Sequence, residues 1–302
     1  MQSENVTTLE TYLAERKALI DGALEEFLPG AGDGPEIIHQ ALRYSLFAGG
    51  KRLRPILCMA AAEATGGRGE DFLSCACALE MIHTYSLIHD DLPSMDNDDY
   101  RRGMATSHRV FGEGIAILAG DALLTEAFHL LSRAESTRDD NTEKRFRVIN
   151  LIARAAGAAG MVGGQVMDLQ GEGKTAALET IEDTHRRKTG AMLTVSVVSG
   201  AILAGATAAQ IAALSSYGQD IGLAFQIADD ILNVTGDSAL MGKGTGSDIS
   251  KGKTTFPAML GMEASRRRLT ELVGGAASHL AGFDHRAEPL RQIAGYIMER
   301  NR

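Results

Sequence analysis

From Thr189 to Gln219 the chain carries no charged residue. A stretch of that length lies either inside a large protein or inside a membrane. Gly, Ser, Thr and Ala dominate it and large apolar side chains are few, which suits close helix packing more than contact with lipid. The expectation is a fully buried helix of a large helical protein that is not integral to a membrane.

The rest of the chain has the same helical character. Leu9, Leu13, Leu19, Ala23 and Phe27 recur at helical spacing until Pro29 stops them. A second helix begins at Ile37 and ends near Gly49-Gly50. A third has Pro55 in its first turn and closes at Gly66-Gly67. Further helices are predicted over 71–88, 114–134, 143–164, 176–189, 209–233, 256–273 and 289–298. No alternating run is long enough for a strand, and no linker or repeat divides the chain. These features predict one all-α domain over residues 1–302, with about ten or more helices.

The net charge of −9 argues against a protein that works by gripping nucleic acid. Three cysteines (Cys58, Cys75, Cys77) cannot form a full disulfide framework, and no His or Cys cluster completes a zinc site. Buried free thiols in a reducing, cytoplasmic setting are expected. The first residues are polar and acidic, without the basic-then-apolar pattern of a secretory signal.

Two acidic clusters stand out. Asp90, Asp91, Asp96, Asp98 and Asp99 lie within ten residues at the predicted end of the 71–88 helix. Negative charge there meets the negative end of the helix dipole, and the carboxylates repel one another. Such a cluster is costly unless cations neutralise it, and hard oxygen ligands suit magnesium shared with phosphates. No EF-hand register fits it. Arg101-Arg102 follows directly, and arginines that bind phosphate oxygens beside carboxylates that bind metal make the two halves of a diphosphate site. In the second cluster Gln226, Asp229, Asp230 and Asn233 are spaced i, i+3, i+4, i+7, on one helix face. Adjacent acids on a mostly apolar helix point to metal binding more than to a solvated face.

Basic residues recur where phosphate would need them. Gly49-Gly50-Lys51-Arg52-Leu53-Arg54-Pro55 is a glycine turn entering a helix, where backbone amides and cations converge. Arg186-Arg187-Lys188-Thr189 precedes the uncharged stretch, and Lys243, Lys251 and Lys253 lie in a glycine-rich loop. Gly252-Lys253-Thr254 imitates the end of a P-loop, but Ser247 occupies the position of the first glycine and no strand precedes it.

In this order and spacing, the motifs resemble the trans-prenyl diphosphate synthases, most of all the bacterial farnesyl diphosphate synthases. The resemblance runs from about Gly49 to Thr255. It rests on Gly-Gly-Lys-x-x-Arg-Pro, Asp90-Asp91-x-x-x-x-Asp96 with Arg101-Arg102-Gly103, Lys188-Thr189-Gly190, Phe225-Gln226-x-x-Asp229-Asp230 and the final lysine loop. One departure is Asn233, where the family's second motif ends in Asp. This is expected to tune metal affinity, not to abolish catalysis.

The resemblance implies an isoprenoid-synthase-type bundle around a central cavity, a homodimer, and about three Mg2+ ions held by Asp90, Asp91, Asp96, Asp229 and Asp230. It implies that Arg101, Lys188, Lys243 and Lys253 neutralise an allylic diphosphate, while Thr189 and Gln226 face the allylic cation. Isopentenyl diphosphate would be held by Lys51, Arg54, His83 and Arg102. His83 precedes Asp90 by two helical turns, about 10 Å along one face, so a single helix would serve both substrates. Tyr85 lies roughly 7.5 Å deeper than Asp90. In the family a bulky residue here acts as a floor that stops elongation at fifteen carbons, which favours farnesyl diphosphate. Ser86 beside it leaves geranylgeranyl diphosphate as the alternative product.

A terpene cyclase ranks lower, because Asp229-Asp230-x-x-Asn233 lacks the Ser/Thr and Glu of a cyclase's second motif. A non-catalytic diphosphate-binding subunit also ranks lower, because both acidic clusters are present.

Overall fold

The uncharged stretch becomes the buried centre of a helical protein. The computed structural model describes residues 8–30, 32–133, 142–174, 176–235 and 255–299. In it, α10 (Ala191–Leu203) is buried along nearly its whole length and lies against α3 (Leu53–Ala64), α7 (Thr142–Ala156) and α11 (Ala208–Thr235). With no solvent to bond, Ser196 donates its hydroxyl to the Met192 carbonyl at 2.7 Å.

Around this centre stand α1 (Leu9–Phe27), α2 (Glu36–Leu46), α4 (Leu73–Asp90), α5 (Ser107–Phe111), α6 (Glu113–Ser132), α8 (Met161–Gly171) and α9 (Leu178–His185). The chain closes with α12 (Phe256–Leu260), α13 (Met262–His279) and α14 (Glu288–Glu299). Buried apolar side chains from Tyr12 to Ile297 form one cluster. The three cysteines are buried free thiols, as expected.

The all-α expectation holds, with local differences. The helix expected over 143–164 breaks after Ala156, where glycines at both ends of 157–160 weaken it, and α8 restarts at Met161. The helix expected over 256–273 is split at Gly261, whose φ of 79° is outside the helical range. A short hairpin was not expected: β1 (Tyr100–Arg101) pairs antiparallel with β2 (Met104–Ala105). Its turn residues, Arg102 and Gly103, both have positive φ (54° and 78°), as a two-residue hairpin turn requires.

By length and composition α6 is apolar enough to cross a membrane. One side of it packs along α4, and Ile117 and Leu118 are exposed on the other.

Candidate active site

Asp90 is the last residue of α4, and the chain then folds back on itself. The Asp96 amide donates to the Asp90 carbonyl at 2.8 Å, and Asn97 turns with φ 53°. This brings the backbone of Asp96 onto that of Asp90, with both residues half-buried. Asp91 is different. Its side chain is buried, and Arg101 Nε lies 2.8 and 2.7 Å from its two carboxylate oxygens. Asp91, expected on metal, and Arg101, expected on the allylic diphosphate, are thus paired with each other.

The glycine turn before α3 is shaped by the hairpin. The Arg102 guanidinium donates to the Gly49 carbonyl and lies over Gly50, where a Cβ would sit 2.6 Å from Nη1. Gly50 also has φ 127°, so any other residue there would be strained. The three cations that follow separate. Lys51 is exposed, with Nζ 3.1 Å from the Tyr296 hydroxyl of α14. Arg52 turns inward to Asp21, Glu80 and the Leu46 carbonyl, each at 2.8 Å, and is a structural residue.

Among the described residues, the buried Nε of Arg54 has no hydrogen-bond partner. Burial draws its pKa down to about 10; Arg102 acts in the same direction, and Glu80 and Asp229 oppose them. His83 lies among the charges of Arg54, Arg102, Arg101 and Arg52, and burial together with these cations holds it well below the ordinary imidazole range. The start of α3, the middle of α4, the hairpin and Asp229 of α11 thus lie within electrostatic reach of one another.

Lys188 and Thr189 sit in a π-helical turn (Arg186–Gly190) between α9 and α10. Such turns recur at functional sites because they push side chains out of helical register. Two glycines let neighbouring backbones clamp this turn. A Cβ on Gly164 of α8 would lie 2.3 Å from the Lys188 nitrogen, and one on Gly222 of α11 would lie 2.7 Å from the Gly190 Cα. Lys188 Nζ contacts Asp168 Oδ2 of α8 at 2.7 Å, and Thr189 is buried.

Sequence reasoning missed Asp168, and with it Gln165, whose two buried amide atoms have no hydrogen-bond partner among the described residues. The signal was Gly163-Gly164-Gln165-x-x-Asp168, which places Gln165 and Asp168 one turn apart on α8.

On α11, Gln226 and Asp229 are half-buried, whereas Asp230 and Asn233 are buried. Asp230 accepts the Phe256 amide at 2.9 Å, capping α12, and stands 3.4 Å from His185 Nε2. The His185 ring stacks on Phe256 with centroids 5.7 Å apart. The single polar face expected for this helix is therefore divided between an open edge and a structural cap. Lys243 and Lys253 lie outside the described residues.

Tyr85 is buried in α4 and meets His89 edge-on at 5.7 Å, and burial together with the Asp90 charge raises its phenol pKa. Ser86 donates its hydroxyl back to the His83 carbonyl at 2.8 Å.

Among the described residues, no three His, Cys, Asp or Glu side chains form a ready-made metal cluster. The profile of the family described as Polyprenyl synthetase matches residues 35–284. The chain belongs to this family. It is a trans-prenyl synthase, a transferase acting on isoprenoid diphosphates, with the all-α isoprenoid synthase fold.

Among its relatives, a geranylgeranyl diphosphate synthase of Cyanophora paradoxa is 47% identical, over 97% of each chain. A farnesyl diphosphate synthase of Geobacillus stearothermophilus is 46% identical, over 97% of this chain and 98% of the relative. The solved apo structure of a farnesyl/geranylfarnesyl diphosphate synthase from Zymomonas mobilis is similar with a TM-score of 0.87. It is 40% identical, covering 96% of this chain and 98% of that one.

Proposed function

We propose that the chain is a magnesium-dependent farnesyl diphosphate synthase, joining isopentenyl diphosphate to dimethylallyl and then geranyl diphosphate. Product length rests on one observation: Tyr85 is buried on α4, five residues before Asp90. A prenyl chain anchored by its diphosphate at Asp90 and growing along α4 meets this ring after roughly 7.5 Å. The small Ser86 and the relatives with geranylgeranyl products favour the twenty-carbon product as the second reading.

Asp90, Asp96 and Asp229 suit magnesium. They are hard oxygen donors, and this ion takes one or two carboxylates together with phosphate oxygens and water, so no preformed cage is needed. Bound there, the ions supply electrostatic stabilisation of the departing diphosphate. Asp91 and Asp230, occupied by Arg101 and Phe256, organise the carboxylates beside them.

The remaining work falls to the chain's own side chains. Lys188 adds positive charge at the allylic diphosphate, with Asp168 positioning its amine, and Arg101, Lys243 and Lys253 complete the neutralisation. Thr189 and Gln226 turn oxygen dipoles toward the allylic cation once the carbon–oxygen bond breaks. Lys51, Arg54, His83 and Arg102 hold isopentenyl diphosphate so that its double bond attacks that cation. The proton then lost goes to the released diphosphate.

The exposed Ile117 and Leu118 of α6 and Val110 of α5 support a homodimer formed through this face, and the buried free thiols suit the cytoplasm. The test is incubation with labelled isopentenyl diphosphate and dimethylallyl diphosphate, with magnesium or with chelator. Magnesium-dependent chain extension is expected, and its absence in folded protein would sink the proposal.

A further inference from the structure

The turn that carries Lys188 and Thr189 also lines a second concavity. It has a volume of about 500 Å³ and is bounded by α7, the 157–160 link, the π-helical turn, α10 and α11. That volume lies within the usual range of small-molecule sites, about 300–1,000 Å³. None of Asp90, Asp96, Asp229, Arg54 or His83 borders it.

Its lining is divided by chemistry. Leu151, Val195 and Val198 supply apolar surface, and among the described residues the ionisable groups that line it are Arg154 and Arg186. On a chain of net charge −9, a groove whose charged lining is wholly cationic is locally suited to an anion. Arg154 is exposed, and Arg186 has Glu182 at 3.5 Å, an open pair that a multiply charged phosphate would outcompete. Apolar surface beside two arginines fits an amphipathic anion, and the family's substrates and products are of this kind.

The groove also touches the catalytic machinery at one point. Gly190 borders it, one residue after Thr189 and two after Lys188, and packs backbone-to-backbone on Gly222 of α11. A ligand pressing on Gly190 bears on the same turn that presents Lys188.

We propose that this groove is a regulatory site for an isoprenoid diphosphate. Its diphosphate pairs with Arg154 and Arg186, its prenyl chain lies against Leu151, Val195 and Val198, and its binding slows turnover by displacing the π-helical turn. The proposal rests on the family's isoprenoid chemistry and not on the product being fifteen carbons long.

The test uses farnesyl S-thiolodiphosphate, an analogue resistant to ionisation, as an inhibitor at varied dimethylallyl diphosphate. The wild type should show a component that excess allylic substrate does not relieve. Arg154→Glu should raise the inhibition constant of that component at least tenfold, with uninhibited kcat within twofold. Purely competitive inhibition, or an unchanged constant in Arg154→Glu, overturns the proposal. Inorganic diphosphate alone should not reproduce the component, and if it does so at equal concentration the prenyl part is wrong. Photolabelling with a benzophenone-bearing farnesyl diphosphate needs no turnover, so it separates failure here from failure of the synthase assignment. Label within residues 151–160, 191–198 or 215–219 is expected, and label confined to α4 and residues 226–233 of α11 contradicts it.

Discussion

Arg101 closes on Asp91, its Nε 2.8 and 2.7 Å from the two carboxylate oxygens, and so divides the first aspartate cluster by function. Asp91 fixes the hairpin to the end of α4, while Asp90 and Asp96 stay at the half-buried edge. The two kinds of aspartate should therefore fail differently.

Asp91→Ala removes one partner of a mostly buried pair and should cost about 3 kcal/mol of stability, the lower end for such pairs because Arg101 is partly open. Asp90→Ala and Asp96→Ala should change stability by less than about 1 kcal/mol and lower kcat by about 100-fold or more. Urea unfolding in chelator, beside magnesium-dependent turnover, separates the two. Equal stability loss in all three variants would show that the pair has no special structural role.

Gly164 lets the α8 backbone reach Lys188. Gly164→Ala would place a methyl 2.3 Å from the Lys188 nitrogen. Backbone must move to relieve this, at a cost of about 1–3 kcal/mol, and Lys188 moves with it. Turnover should fall about 10- to 100-fold, in line with misplacement of a catalytic group by about 1 Å. Asp168→Asn, which keeps the shape, should lower kcat without the stability loss. Calorimetry and steady-state rates on both variants check this.

His83 should make stability depend on pH. Its folded-state pKa is depressed by burial and by the surrounding arginines. The unfolded chain protonates it near pH 6.5, so below that pH the unfolded state binds more protons and stability falls as pH drops. From pH 6.5 to 5.5 the wild type should lose up to about 1 kcal/mol more than His83→Gln. Denaturant titrations across this range measure the difference, and parallel curves would contradict it.

The helices were legible because apolar periodicity and long uncharged stretches admit few alternatives. The seven-residue spacing of His83 and Asp90 placed both on one α4 face. Adjacent acids were harder to assign. One residue on a helix turns the side chain by about 100°, so Asp229 and Asp230 cannot face the same way, and the α12 cap at Phe256 is too distant in sequence to show which points inward. Among Lys51, Arg52 and Arg54, only the fold reveals that Glu80 and Asp21 claim Arg52. The hairpin at 100–105 escaped notice because its strands are two residues long. Asp168 and Gln165 escaped because Gly-Gly-Gln-x-x-Asp has meaning only when α8 lies against the π-helical turn.

The most direct test of the proposed product is chromatography of the dephosphorylated prenyl alcohols made from isopentenyl and dimethylallyl diphosphate with magnesium. Wild type should give mainly the fifteen-carbon alcohol, and Tyr85→Ala should shift the distribution to twenty carbons or more. A wild-type product of mainly twenty carbons, or an unchanged distribution in Tyr85→Ala, would contradict the account of Tyr85 as the floor.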